Sequence, residues 1–300
     1  MAGSAAPLRS TLAARPPAWS MAVVAMLSVQ LGAALSVGLF PVVGASGTGW
    51  LRLVAGALIL LAIARPRPRD VPRAVVAPVL ALGVATGTTT VAFLAALDRI
   101  PLGTTVAIEF LGPLSVAALR AHDRRVLAWP GLALAGVLLL THPWEGGADV
   151  MGMLLAALAA AGWGTYILLT QHVGDRVAGV KGLALTIPVA ALVTTPLGLP
   201  QAAGHLTPTL VLAVLGLAVL MPVVPFALEM AALRRLTATA FGTLMALEPG
   251  LAVVIGAVVL HQALGPTQLA GVTLVVAAGV GAERRERRQE ITYPDPAAAL

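Results

Sequence analysis

The sequence predicts an all-α integral membrane protein of about ten transmembrane helices, arranged as two inverted-topology five-helix repeats. Its composition, a series of apolar windows and an internal repeat indicate this class. Of its 300 residues, 58% are hydrophobic and 11% are charged, whereas an average soluble protein has about 25% charged residues. A soluble domain of this length cannot bury so much apolar surface, so we expect a bilayer to solvate it.

The apolar windows give the number of helices. A spanning helix needs about 20 predominantly apolar residues, and ten windows of the sequence approach this requirement. They are residues 19–40, 47–64, 74–97, 102–119, 126–141, 150–171, 178–197, 209–233, 238–260 and 266–282. The connecting segments are short, so no soluble domain is expected between the helices.

The N-terminal apolar run resembles a secretory signal because Arg9 and Arg15 precede it. Signal h-regions extend for about 7–15 residues, and the run 19–40 is longer. We therefore expect a retained first spanning helix.

The distribution of basic residues predicts the orientation. With the N-terminus in the cytoplasm, 17 of the 19 basic residues fall on the cytoplasmic side, Arg99 falls in an outer loop and Arg52 falls inside a window. An excess of basic residues in short cytoplasmic loops is the usual signature of membrane orientation. Both termini are therefore predicted to be cytoplasmic. The same distribution argues against nucleic-acid binding, which the net charge of +6 would otherwise suggest.

An internal repeat divides the chain. The segment 95–113 matches 231–249 at an offset of 136, and LAGV at 134–137 recurs at 269–272 at an offset of 135. The predicted units are residues 1–142 and 150–283, followed by a cytoplasmic tail, 284–300. Because each unit has five helices, the second enters the membrane in the opposite sense. Inverted repeats are typical of secondary transporters, whose substrate site lies between the halves.

The sequence lacks the residues that several kinds of functional site require. The chain has no cysteine, which excludes thiolate metal sites and cysteine nucleophiles. The sequence lacks the phosphate-binding GxxxxGK[ST] loop, so we expect neither ATP hydrolysis nor a cofactor. The histidines show no metal-ligand spacing, so no metal site is predicted; they are His122, His142, His172, His205 and His261.

Ionisable residues inside the windows are candidate substrate or proton sites, because charge in a membrane interior is costly. Glu248 is expected near the midplane and Glu109 about 10 Å from the outer surface, at ~1.5 Å per helical residue. A protonated, hydrogen-bonded structural carboxyl is the alternative role for Glu248. Glu229 either forms an interfacial ion pair or contributes to the site. Arg52 either extends its guanidinium to the outer surface or binds a carboxylate.

Three uncharged side chains are further candidates. Trp163 and Tyr166 are three residues apart in a helix and share a face, which lines a cavity or packs in the core. Gln30 interrupts an apolar helix and either lines the transport path or forms an interhelical hydrogen bond.

Four motifs resemble those of the EamA branch of the drug/metabolite transporter superfamily, and of its bacterial threonine and homoserine exporters. They are IPLG with EFLGPL in 100–114, GWGTYIL at 162–168, PFALEM at 225–230, and FGTLM with LEP in 241–249. The resemblance covers nearly the whole chain. It departs at His261 and Gln262, where the family often has Gly-Glu; a role for that glutamate in transport would be missing here.

The resemblance implies a secondary transporter, not an enzyme, that exports small amino acids such as threonine or homoserine across the bacterial inner membrane. Proton exchange through Glu109 or Glu248 would drive it, with substrate, protons and membrane lipid as its partners. Export of other metabolites or drugs is the alternative, although Arg52 alone is a poor match for a large polyanion. A membrane-embedded lipid-modifying enzyme is a third hypothesis, but the short loops carry no clustered catalytic groups.

Overall fold

In the computed structural model the chain is helical throughout its regular elements, and the described residues contain no β-strand. The structure describes residues 17–66, 73–120, 127–142, 149–173, 180–233, 235–236, 241, 244–263 and 265–292. Its helices are α1 (Ala18–Val37), α2 (Phe40–Ala64), α3 (Arg73–Leu97), α4 (Leu102–Glu109), α5 (Leu111–Arg120), α6 (Ala128–Thr141), α7 (Val150–Val173), α8 (Val180–Ala202), α9 (Pro208–Ala218), α10 (Val224–Leu233), α11 (Glu248–Val259) and α12 (Pro266–Thr292). A π-helical turn, Val219–Val223, joins α9 to α10.

Within the described ranges, six helical segments are long and apolar enough to cross a membrane. They are Ala18–Val37, Phe40–Ala64, Val76–Leu97, Val150–Leu169, Val180–Ala202 and Pro208–Glu229. Four shorter apolar helices accompany them: Leu102–Val116, Ala128–Thr141, Glu248–Val259 and Pro266–Ala282. Each of the ten segments corresponds to one predicted window, although Phe40–Ala64 begins seven residues before its window and Val180–Ala202 ends five residues after its own. By length the structure therefore supports six spanning helices, and the other four windows contain shorter helices.

The first connection lies earlier than the sequence predicts. The window 19–40 was expected to be one helix, but α1 ends at Val37 and α2 already begins at Phe40. Gly44 then kinks α2 with φ 65° and ψ 168°. The backbone N–H of Gly47, beyond the kink, donates to Oε1 of Gln201 at 2.9 Å. Gln201, at the end of α8, therefore satisfies the backbone just beyond the kink. The connection between α1 and α2 is apolar and contains no polar loop.

Two helices are interrupted inside the bundle. The window 102–119 breaks at Phe110, because Pro113 has no N–H to bond the carbonyl of Glu109. The π-helical turn breaks at Met221, and the carbonyl of Leu220 there accepts a hydrogen bond from the Ser28 hydroxyl at 2.8 Å. Neighbouring side chains satisfy broken backbone in this way in membrane proteins.

Contacts between helices of the N-terminal half and helices of the C-terminal half occur in matching pairs. Helices that hold the same place in each half pack together: α2 with α8, α4 with α11, and α6 with α12. The contact between α3 and α7 has its counterpart in the contact between α1 and α10. The two halves therefore meet along extensive helix surfaces on both sides of the bundle.

A close and reciprocal helix crossing lies at the repeated LAGV motif. A Cβ on Gly136 of α6 would be 2.5 Å from the Gly271 carbonyl oxygen, and a Cβ on Gly271 of α12 would be 2.6 Å from the Gly136 carbonyl oxygen. Small residues allow helix backbones to approach this closely in membranes. The contact is reciprocal, with each glycine facing the other.

Candidate functional site

A buried hydrogen bond joins the two halves in the interior of the bundle. The side-chain amide of Gln30 on α1 donates to Oε1 of Glu248 on α11 at 3.1 Å. Gln30 is 1% exposed and Glu248 is 6% exposed. The other oxygens of this pair, Oε1 of Gln30 and Oε2 of Glu248, have no hydrogen-bond partner among the residues that the structure describes. The pair therefore retains unused polar atoms in an apolar environment, where such atoms are costly.

Glu248 occupies the first turn of α11, where the helix begins inside the bundle. The predicted window 238–260 placed it in the middle of a continuous helix. Ala246 and Leu247 instead form a turn immediately before it, and residues 237–240 and 242–243 lie outside the described part of the chain. A helix N-terminus carries partial positive charge, so this break gives the carboxylate a polar environment that a continuous helix would lack.

Arg52 on α2 is buried, with 4% exposure. Its Nη1 donates to the Ser36 hydroxyl at 3.5 Å, and that hydroxyl donates to the carbonyl of Gly32 at 2.7 Å. Of the two predicted roles, extension to the outer surface does not occur. The guanidinium lies between α1 and α2, with no carboxylate among the described residues within 4.0 Å.

Glu109 and Glu248 lie at a similar height in the bundle because α4 and α11 are antiparallel. Gly103 of α4 faces Val253 of α11, with a Cβ on Gly103 falling 2.5 Å from a Val253 methyl carbon. Glu109 is six residues beyond Gly103, and Glu248 is five residues before Val253. Glu109 therefore lies within electrostatic range of both Glu248 and Arg52.

Glu229 on α10 completes the charged group. It is half-buried, and its carboxylate acts electrostatically on Glu248. Two arginines, Arg234 and Arg235, are within reach for the predicted interfacial ion pair, and Arg234 lies outside the described residues. Four ionisable residues from α2, α4, α10 and α11 thus form one group, which we call the charged centre: Arg52, Glu109, Glu229 and Glu248. One guanidinium among three carboxylates leaves negative charge to be balanced by protons or by a cationic ligand.

The two predicted aromatic residues lie at different places. The Trp163 ring meets Phe110 edge-on, with ring centroids 6.4 Å apart, and Phe110 directly follows Glu109. Tyr166 packs instead with Val79 and Leu82 of α3. Trp163 therefore supports the α4–α5 break beside the charged centre, whereas Tyr166 packs between α3 and α7.

Several polar residues at these contacts were not singled out from the sequence. Ser36 is a polar residue in an apolar helix, as Gln30 is, and that signal was available. Gln262, at the departure from the family motif, accepts the Leu102 backbone N–H at 3.0 Å and so caps α4. An amide oxygen performs this capping as a carboxylate would, so Gln262 retains this structural role.

The fold and the charged centre define a class: a multi-pass helical membrane protein with buried, partly unpaired polar groups where its two halves meet. Comparisons with known proteins identify the family. The model of the EamA-like transporter family matches residues 150–281. The chain is 37% identical to the threonine/homoserine exporter RhtA of Escherichia coli strain K12 over 279 residues, which are 91% of this chain and 94% of that protein. It is therefore a member of the EamA-like transporter family.

A further relative agrees with this assignment, and a solved structure shares the fold. The threonine/homoserine exporter RhtA of Salmonella typhimurium strain LT2 is 36% identical over 270 residues, covering 89% of this chain and 91% of that protein. A solved crystal structure of a protein, 19% identical, has the same fold with a TM-score of 0.61 and covers 90% of this chain and 99% of that one.

Proposed function

We propose that this protein exports small amino acids such as threonine or homoserine across the bacterial inner membrane, and that proton exchange at the charged centre drives the transport. The observation that carries the proposal is that the buried Arg52 lies within electrostatic range of Glu109, which in turn lies within electrostatic range of Glu248. An amino acid presents a carboxylate and an ammonium group, and this centre offers a guanidinium and carboxylates to bind them. The names of the relatives support this substrate class.

The proposed architecture has ten spans in two inverted units, 1–142 and 150–283, with both termini and the tail 284–300 in the cytoplasm. The matching pairs of helix contacts and the reciprocal crossing of Gly136 and Gly271 support the two units. The excess of basic residues on one side supports the orientation. Rocking of one unit against the other would expose the charged centre to each side of the membrane in turn.

Gln30 provides a physical reason for Glu248 to exchange protons. Its amide nitrogen donates to an ionised carboxylate, as in the observed bond. Its amide oxygen, which has no partner, accepts from a protonated carboxyl after rotation of the amide. Glu248 therefore keeps a hydrogen-bond partner in both protonation states, which lowers the cost of changing between them inside an apolar bundle.

The test is transport by the purified chain in proteoliposomes with labelled threonine or homoserine. We expect a pH gradient to drive transport, and Glu248→Gln to abolish this drive while substrate exchange across equal pH continues. If Glu109 binds the substrate ammonium, Glu109→Gln reduces both activities. Asp98→Asn is the control, since it removes an exposed carboxylate outside the centre.

Three results would contradict parts of the proposal. Efflux unaffected by collapse of the pH gradient excludes proton coupling. Normal gradient-driven transport by Glu248→Gln removes that residue from the mechanism. Absence of amino-acid transport by the unmodified protein overturns the proposed substrate class.

A further inference from the structure

A second polar cavity lies away from the charged centre, at the end of the bundle that the charge distribution places outside the cell. It has a volume of about 200 Å³ and lies among α4, α6, α7 and α12. Its polar lining consists of Arg99, Thr104, Thr141, Asp149 and Gln268. This size is below the roughly 300–1,000 Å³ of pockets for drug-sized ligands, so the cavity suits a small metabolite.

Opposite charges lie together at the mouth of this cavity. Arg99, after α3, bonds through its Nε to Oδ1 of Asp149 at 3.0 Å, and both side chains are partly exposed. The bond uses the Nε donor, and the described residues form no hydrogen bond with the two terminal Nη groups. Asp149 also accepts backbone N–H groups of Met151 and Gly152 at the start of α7. A carboxylate has about four acceptor positions, so one remains.

The floor of the cavity contains one unused hydroxyl among the described residues. Thr104 is 3% exposed, and its Oγ1 has no hydrogen-bond partner. The neighbouring polar groups are already bonded: the Thr141 hydroxyl donates to the Val137 carbonyl, and Gln268 bonds the backbone of Leu140 and Gly265. A buried hydroxyl without a partner is unfavourable unless a ligand or water supplies one.

We propose that this cavity is a binding site on the exit path for small hydroxylated amino acids. The substrate carboxylate binds the free Nη groups of Arg99, its ammonium group binds Asp149, and its hydroxyl binds Thr104. This inference deepens the proposed export function and rests on it. It assigns to Thr104 the preference for substrates that carry a hydroxyl group.

The test compares binding of L-homoserine with that of L-2-aminobutyrate, which lacks the hydroxyl, by the purified full-length protein in nanodiscs. We expect the unmodified protein to prefer homoserine and Thr104→Val to reduce that preference about fivefold, the value of one neutral hydrogen bond. Thr104→Ser keeps the hydroxyl and should retain the preference. Thr105→Val is the matched control, because Thr105 bonds the Pro101 carbonyl of its own helix.

A second variant tests the location. Arg99→Gln should weaken binding of both ligands equally, by about tenfold for one charged hydrogen bond, and leave their ratio unchanged. The inference is overturned if the unmodified protein binds both ligands with the same Kd, or if Thr104→Val retains the full preference for homoserine. Either result leaves the export proposal standing, whereas transport of neither amino acid by the unmodified protein overturns the export proposal as well.

Discussion

The crossing of α6 and α12 allows a quantitative test of the reciprocal contact between the halves. In Gly136→Ala the new methyl would lie 2.5 Å from the Gly271 carbonyl oxygen, and in Gly271→Ala it would lie 2.6 Å from the Gly136 carbonyl oxygen. Ordinary contact begins near 3.4 Å, so the helices must separate by about 0.9 Å and 0.8 Å. The clash is with backbone, so no side-chain rotation relieves it.

We expect each substitution to lower the free energy of unfolding by about 1–3 kcal/mol, the usual cost of overpacking. The two costs should be nearly equal because the two contacts are nearly equal. The double variant should cost less than the sum, since a crossing already widened by one methyl accommodates the second with less further movement.

Unfolding of the purified protein in detergent, followed by circular dichroism, measures these free energies. Gly131→Ala is the matched control on α6, because a Cβ there meets no atom within 4 Å. Its intrinsic helix propensity predicts no loss of stability. The reasoning is refuted if Gly136→Ala is as stable as Gly131→Ala, or if only one of the two crossing glycines is sensitive.

Two other features give testable outcomes. The bonds that Asp149 accepts from Gly152 and Arg99 hold the pKa of its carboxyl below the ordinary value of 3.8. The stabilisation that Asp149 provides is therefore complete above pH 3.8 and is lost as the pH falls through the folded pKa. The difference in unfolding free energy between the unmodified protein and Asp149→Asn should therefore be constant from pH 7 to about 5 and shrink below about 4; a pH-independent difference would contradict this. At the α2 kink, Gly44→Ala should cost about 1–3 kcal/mol of backbone strain plus a clash with Gln201, whereas Gly204→Ala, also at positive φ but with no neighbour within 4 Å, should cost only the strain. Equal costs in the same unfolding assay would exclude the clash.

The proposed centre and the proposed exit site divide recognition between them. The centre lies where α4 and α11 pass each other, and the cavity lies near the N-terminal end of α4, the same helix. Thr104 and Glu109 are five residues apart, or ~7.5 Å along a helix. A movement of α4 relative to α11 would therefore affect both sites together.

The sequence by itself determined the membrane class, the ten apolar segments and the identity of the charged residues in the interior. These are properties of local composition: a long apolar run and a costly intramembrane charge are each visible without knowledge of any neighbour. The LAGV repeat was also visible in the sequence, but the contact between its two copies was not. Only the structure shows Gly136 against Gly271 at the crossing.

Only the tertiary structure decided which polar groups meet. Gln30 and Glu248 are 218 residues apart, and Arg52 was as compatible with the surface as with the interior. The physical reason is that these helices are apolar on all sides, so no amphipathic periodicity indicates which face turns inward. Pro113 accounts for the break at Phe110, but helix rotation depends on packing between the halves, and that packing placed the charged residues in one centre.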